Sequence, residues 1–69
     1  MGVESLWAVQ AKRSIMKCVL HVEPTWTELL VLQDDDVAVR ETFPDQEQAR
    51  AQAEALHERL IALGWRNAS

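Results

Sequence analysis

Cys18 and His21 are the residues whose types and spacing first suggest a metal site or a nucleophile with its base. They lie within residues 15–23, where apolar and polar side chains alternate as they do in a half-buried strand. Residues an odd number of positions apart in a strand project to opposite faces, so these two side chains cannot bind one ion. We interpret Cys18 as a small core residue and His21 as a solvated or interface residue.

His57 is the second histidine, and it lies in a helical pattern beside Glu54 and Glu58. A histidine without a positioned nucleophile is not an active site, and the sequence contains no Ser-His-Asp, paired-carboxylate or HExxH spacing. The only glycines are Gly2 and Gly64, which leaves no glycine-rich loop to cradle a phosphate. The sequence therefore predicts no catalytic residue and no cofactor, and a protein that is not an enzyme.

Asp34, Asp35 and Asp36 offer the carboxylate oxygens that Ca²⁺ and Mg²⁺ prefer. A calcium loop spaces its ligands so that they wrap the ion, and it usually contains a glycine. Three consecutive side chains point in divergent directions instead. Because aspartate tolerates left-handed backbone and bonds to its own main chain, we predict a hairpin turn here and no metal site.

Length and composition limit the classes of protein to which the chain can belong. Its 69 residues are enough for one domain, and an apolar fraction of 48% is typical of a globular chain. A single cysteine excludes an intrachain disulfide and fits a reducing compartment. No apolar run exceeds four residues, the length of residues 29–32, which is far too short for a membrane span. We expect a soluble cytoplasmic protein that does not enter a membrane.

Three stretches have strand patterns bounded by turn signals. Residues 15–23 alternate and end at Pro24, which lacks the amide that a sheet ladder needs. Residues 26–33 are apolar on both faces at their centre, as in a strand covered on both sides. Residues 37–43 follow the aspartate turn. The spacing predicts a three-stranded antiparallel meander with the second strand in the centre.

A C-terminal amphipathic helix is predicted from about Gln46 to Leu63. Asp45 is a good N-cap, and Gln48 completes a capping-box pattern. Gly64 stands where a left-handed helix end is expected, so that Trp65 can fold back onto the helix. The apolar stripe has a 3.6-residue period and consists of Ala49, Ala53, Leu56, Leu60 and Leu63. Residues 15–69 are thus predicted to form a single α+β domain of order β-β-β-α.

Residues 1–14 contain no periodicity long enough to decide between a short helix, an extra strand and a disordered segment. If they are helical, the order α-β-β-β-α resembles the double-stranded-RNA-binding fold. That family places lysines at the start of its last helix to grip phosphates, where this chain has Asp45-Gln46-Glu47-Gln48. The resemblance therefore implies the fold without its binding chemistry. A further interpretation takes Met16 as the translation start, with the preceding residues as an unstructured leader.

One helix can cover only one face of the predicted sheet. The helix-facing set is predicted to be Met16, Cys18, Leu20, Val22, Leu30, Leu32, Val37, Val39 and Phe43. The opposite face is predicted to carry Ile15, Val19, Leu29 and Val31, beside Lys17, His21, Thr27 and Arg40. Exposed aliphatic clusters of this kind mark interfaces. We therefore predict an interface composed of Val19, Leu29, Val31, Lys17, His21 and Arg40.

This predicted interface leads to two functional hypotheses. The first is a small interaction module that forms a homodimer or binds another protein through this face, unless the segment around Trp7 covers it. The second is a weak nucleic-acid-binding domain that uses the basic residues Lys12, Arg13, Lys17, His21 and Arg40. The net charge of −4 argues against nucleic acid, because neutralisation of phosphates dominates that affinity.

Overall fold

A computed structural model describes residues 2–68 as an antiparallel sheet with a helix packed on one side. The elements are β1 (Gly2–Ala11), β2 (Ser14–Val22), β3 (Thr27–Gln33), β4 (Asp36–Phe43), α1 (Gln46–Ala62) and β5 (Arg66–Asn67). The strands lie in the order β4-β3-β2-β1-β5, and all neighbours are antiparallel. The predicted α+β class is confirmed. The predicted number of three strands is wrong, because β1 and β5 extend the sheet.

The N-terminal segment is a strand over Gly2–Ala11. It pairs with β2 from Gly2 opposite Val22 to Ala11 opposite Ser14, so the segment is neither a helix nor an unstructured leader. The α-β-β-β-α order is therefore excluded. A bulge between Ser5 and Trp7 shifts the register of β1, which breaks the alternation that would have revealed the strand in the sequence.

The start of α1 has the predicted N-cap, but the Gln48 side chain bonds to the Asp45 carboxylate and not, as in the predicted capping box, to the Asp45 backbone amide. Asp45 has extended backbone, and its Oδ1 accepts a hydrogen bond of 2.9 Å from the Gln48 backbone amide. The Gln48 side chain donates to Asp45 Oδ2 at 3.1 Å. Asp45 thereby satisfies one of the free amides of the first turn, and its negative charge lies at the positive end of the helix dipole.

The end of α1 is a Schellman motif built on Gly64. Gly64 has φ +109°, and the amide of Trp65 donates to the Leu60 carbonyl at 3.0 Å. This bond returns Trp65 to the helix, where its side chain packs against the core, as predicted. Leu63, predicted to lie on the apolar stripe, is instead 72% exposed, because α1 ends at Ala62 and Leu63 is its C-cap.

The core lies between the sheet and α1. Its buried apolar residues are Val9, Met16, Cys18, Leu20, Leu29, Val31, Ala49, Ala53 and Leu60. The two buried alanines of α1 let the helix lie close to the sheet.

The predicted facing of β3 is wrong. Leu29 lies opposite Leu20 and Val31 lies opposite Cys18, and antiparallel partners share a face. Leu29 and Val31 are therefore 1% and 0% exposed in the core, and Thr27 is buried with them. Leu30 and Leu32 project to the side away from α1. One feature of the sequence indicates this facing: Glu28 shares a strand face with Leu30 and Leu32, and a carboxylate is a poor core residue.

The facing of Val37 also differs from the prediction. A bulge between β3 and β4 places Val37 opposite Leu32, so Val37 lies on the side away from α1 and is 51% exposed. Beyond the bulge, Val39 and Phe43 pack against the core as predicted. A single extra residue in one strand reverses the side to which its neighbours project.

Candidate functional site

The side of the sheet away from α1, here called the open face, is the candidate site. The strand registers arrange its side chains in three rows that run across the sheet from β4 to β1. The rows are Thr42-Glu28-His21-Val3, then Arg40-Leu30-Val19-Ser5, then Val37-Leu32-Lys17-Ala8. Each row combines apolar and polar side chains, so the face is neither a hydrophobic core nor a purely solvated surface.

The centre of the open face is aliphatic. Val19 and Leu30 are direct cross-strand partners, and Leu32 follows on the same side of β3. All three are only half-buried. At the margins the exposed fraction rises to 41% for Ile15 and 70% for Val3. A solvated antiparallel face normally alternates to polar residues, and the centre of this face does not.

One end of the open face is charged. Glu28 lies between two basic side chains, with its Oε2 atom 3.7 Å from Arg40 Nε and its Oε1 atom 4.0 Å from His21 Nδ1. His21 Nε2 is also 3.0 Å from Glu23 Oε1, and the His21 ring meets Trp26 edge to face. Ion pairs at a surface contribute little to stability, but these pairs fix the orientation of the charges at this end.

The other end of the open face is formed by two hairpin turns side by side. The β1–β2 turn contains Lys12 and Arg13, and the β3–β4 turn contains Asp34 and Asp35. A shallow hollow of about 190 Å³ lies beside them, lined by Ile15, Lys17, Leu32, Asp34 and Asp35. A basic corner and an acidic corner thus lie next to each other at one end of the sheet.

Asp34 ties these two turns together. Its Oδ1 accepts from the Ile15 amide at 3.0 Å, and its Oδ2 accepts from Ser14 Oγ at 3.1 Å. Asp34 and Asp35 have φ of 50° and 72°, the left-handed pair that a two-residue hairpin turn requires. The prediction of a turn at the aspartates is therefore confirmed. Within residues 2–68, no group of three or more His, Cys, Asp or Glu side chains is arranged to hold a metal ion.

Four of the six predicted interface residues, Lys17, Val19, His21 and Arg40, lie on the open face. The other two, Leu29 and Val31, are buried under α1, and their positions on the face are taken by Leu30 and Leu32. Cys18 is buried in the core as interpreted, on the side of β2 opposite His21. Burial raises the pKa of the Cys18 thiol to about 11, which keeps it protonated and unreactive near neutral pH.

A second cluster, on the helix side of the sheet, could not be predicted from the sequence. Trp7 stacks on His57 and donates a 3.1 Å hydrogen bond from its indole nitrogen to the Ala53 carbonyl. His57 Nε2 is 2.7 Å from Asn67 Oδ1. The segment around Trp7 therefore packs against α1 and does not cover the open face. Because the bond to Asn67 joins α1 to β5, we assign this cluster a structural role.

Glu4 and Arg50 form an ion pair beside this cluster. Both Glu4 oxygens accept from the Arg50 guanidinium, at 2.6 and 2.9 Å, so the pair is bidentate. The hydrogen bonds from Arg50 lower the pKa of the Glu4 carboxyl. This pair joins β1 to the first half of α1. It lies on the helix side of the sheet, so it makes no contact with the charged residues of the open face.

No family model matches the sequence, no curated protein is significantly similar to it, and no solved structure significantly matches its fold. Among residues 2–68, no helix is both long enough and apolar enough to cross a membrane.

Proposed function

We propose that this chain is a small non-enzymatic module that binds a protein partner through the open face. The observation that supports the proposal most is the aliphatic centre of that face, where Leu30 pairs across the sheet with Val19 and Leu32 extends the apolar surface. Apolar patches surrounded by polar residues favour protein contact. Here the polar surround consists of Glu28, His21 and Arg40 at one end and the two turns at the other.

Three carboxylates are engaged in maintaining the fold, which favours an interaction role over catalysis. Asp45 caps α1, Asp34 ties two hairpins together, and Glu4 binds Arg50. A catalytic group needs to be poised for proton transfer or for attack on a substrate. Cys18, the strongest potential nucleophile of the chain, is buried and protonated.

The charges of the open face favour a protein over a nucleic acid. Nucleic-acid binding depends on cations that are free to neutralise phosphates. Two of the five basic residues first considered, His21 and Arg40, lie beside Glu28. Lys12 and Arg13 lie in the turn next to the aspartates. The face is mixed in charge and apolar at its centre, which suits a protein surface.

A photo-crosslinking amino acid placed at position 30 tests the proposal in the native host. Irradiation is expected to join position 30 to a protein. The matched control is the same amino acid at position 54, because Glu54 is exposed on the outer side of α1. Adducts at position 30 that disappear after nuclease treatment would favour the nucleic-acid hypothesis. The proposal would be wrong if position 30 gave no more protein adduct than position 54.

A further inference from the structure

We infer that the partner on the open face is a second copy of this chain, docked face to face about a two-fold axis parallel to the strands. The inference rests on the proposed function and specifies the partner. A two-fold interface brings one surface patch against itself, so the patch must be self-complementary. The open face can be tested for this property row by row, because the strand registers fix the position of each side chain.

A two-fold axis along the strands, between β2 and β3, places β4 of one copy over β1 of the other. The same rotation keeps the turns of both copies at one end of the pair. The acidic β3–β4 turn, with Asp35, then lies over the basic β1–β2 turn of the second copy, with Lys12 and Arg13. The symmetry forms this contact twice. Complementary charges of this kind fix the orientation of docking.

The rows of the open face meet complementary rows under the same rotation. Glu28 falls over the His21 of the second copy, and Leu30 falls over its Val19. Leu32 falls over Lys17, whose aliphatic stem can pack on it while the ammonium group reaches toward the aspartates that line the same hollow. Sheets stacked face to face cross at about 30°, so these correspondences hold best at the centre.

The alternative two-fold axis, perpendicular to the strands, is less favourable. It would reverse the strand direction and bring the row of Glu28 over the row of Leu32, so that a carboxylate faces an aliphatic side chain. Glu28 would then lose water without gaining a cation from the second copy, which is costly for a charged group. This axis would also place the β1–β2 and β3–β4 turns of one copy at the opposite end from those of the other copy. The acidic turns would then not meet the basic turns.

The free edge of β4 is the main rival surface for self-association. Antiparallel pairing of two β4 strands across a two-fold axis centres on one residue, which then faces its own copy. Centring on Arg40 or on Glu41 would oppose two like charges directly, and this destabilises a sheet. Charged residues on an edge strand are a common protection against such pairing. Centring on Val39 avoids this repulsion but sets Arg40 opposite Ala38, without the complementary charges that the open face offers.

The size of the face sets the expected strength of the dimer. Four strands about 4.8 Å apart and about seven residues of about 3.3 Å each give a footprint of roughly 450 Å² per copy. Specific stable complexes bury about 800 Å² per partner. We therefore expect reversible dimers with a dissociation constant in the micromolar range, so that concentration governs the state of the protein.

Charge reversal tests the docking arrangement. One variant carries Lys12→Glu and Arg13→Glu, and the other carries Asp35→Lys and Asp36→Lys. Each variant alone should dimerise at least about tenfold more weakly, because like charges then meet twice in each dimer. An equimolar mixture of the two should recover dimers about as strong as those of the unmodified chain, because every corner again meets the opposite charge. Mass is measured by light scattering from about 1 to 500 µM, a range that brackets micromolar affinity.

Two further variants keep the test decisive. Leu30→Glu should abolish the dimer and leave the helical circular dichroism unchanged. Ile61→Glu, at a 39%-exposed aliphatic residue on α1, should leave dimerisation unchanged. If the doubly lysine-substituted turn melts early, Asp35→Lys alone replaces it, because Asp35 lines the hollow of the open face and lysine already adopts left-handed backbone at position 12.

The outcomes separate this inference from the proposed function. A chain that stays monomeric at the highest concentration overturns the second copy as partner. The proposed function then stands if position 30 still crosslinks to a different protein. A dimer that resists Leu30→Glu, or one that Leu30→Glu breaks but charge reversal and mixing leave unaltered, also overturns the inferred arrangement. The inferred arrangement is supported if dimers recover only when the two charge-reversed variants are mixed with each other.

Discussion

The indole ring of Trp7 and the imidazole ring of His57 stack with their centroids 5.2 Å apart and their planes 17° from parallel. Trp7 lies on β1 and His57 on α1, so the stack joins the first strand to the helix. It also fixes the side of the sheet on which the N-terminal segment packs. The open face is left exposed because the largest side chain of that segment is committed to the helix side.

A double-mutant cycle measures the coupling between these two rings. Trp7→Leu and His57→Ala should each destabilise the protein, and the double variant should lose less than the sum by about 0.5–1.5 kcal/mol, the usual energy of an aromatic pair. Urea titration gives each free energy of unfolding. The control pair is Trp7→Leu with His21→Ala, because His21 lies on the open face. That pair should be additive, and coupling of equal size in both pairs would contradict a direct stack.

The facing of β3 predicts unequal effects for two neighbouring leucines. Leu29→Ala should cost about 2–5 kcal/mol, because it leaves a cavity in the core. Leu30→Ala should cost less than half as much, because Leu30 is only half-buried on the open face. Chemical denaturation at low protein concentration makes the comparison without a contribution from dimers. Equal losses, or a larger loss at Leu30, would show that β3 faces the other way.

The Cys18 thiol predicts a loss of stability in alkali. Its pKa rises from 9.0 to about 11 on folding, because burial disfavours the thiolate. A raised pKa in the folded state gives stability that is complete below pH 9 and is lost as the pH rises toward 11. At 1.36 kcal/mol per unit, the loss is roughly 2–3 kcal/mol.

Alkaline denaturation curves of the wild type and of Cys18→Ala test this prediction. The free energy of unfolding of the wild type should fall relative to that of the variant between pH 9 and 11. A thiol reagent at pH 8 should label Cys18 only after unfolding. Rapid labelling of the native protein would contradict its burial.

The turn at Asp34 and Asp35 predicts a stabilising glycine. Asp35 has φ 72°, a conformation that glycine adopts without steric cost. Asp35→Gly should raise the free energy of unfolding by about 0.5–1 kcal/mol. Asp34→Gly is the matched control, since Asp34 has a similar φ but accepts hydrogen bonds from Ser14 and Ile15. It should be neutral or destabilising. Thermal melts of both variants measure the two effects. An equal gain in stability from Asp34→Gly and Asp35→Gly would contradict the role of the Asp34 carboxylate.

The pair of Glu4 and Arg50 predicts an acid-sensitive contribution to stability. The pKa of Glu4 is lowered from its ordinary value of 4.5 by the hydrogen bonds from Arg50. The stabilisation is therefore complete above pH 4.5 and is lost as the pH falls through the lowered pKa. Glu4→Gln should remove this part of the acid dependence. Melting temperatures from pH 6 to 2 would show it as a smaller fall in the variant, and parallel curves would argue against the pair.

The helix could be predicted to within a residue because its signals are local. Asp45 and Gly64 act on the turns they adjoin, and each requires only the chain next to it. The burial of Cys18 could also be predicted, because the alternation of residues in β2 places it on the apolar side of the strand. The turn at Asp34 follows from the backbone preference of aspartate.

The facing of β3 and the N-terminal strand could not be predicted, because neighbouring strands decide them. The centre of β3 is apolar on both faces, at Leu29, Leu30, Val31 and Leu32. Its pairing with β2 and β4 therefore decides which of these side chains enter the core. The bulges in β1 and β4 leave no mark in the sequence. As a result, four of the predicted interface residues lie on the open face and two do not, and the stack of Trp7 on His57 was not foreseen.

The pairing of Val9 with Asn67 has a consequence for the order in which the parts of the protein fold. The contact joins the first strand to the last, and so it closes nearly the whole described chain into a loop. The β1–β2 and β3–β4 hairpins pair strands that are neighbours along the chain, so they can form before Asn67 reaches β1. Contacts between distant parts of a chain form late. The outer edge of β1 beside Val9 and Gln10 therefore stays unpaired until β5 arrives. A folding chain exposes this β edge until that late step, and strand-pairing errors should arise there first.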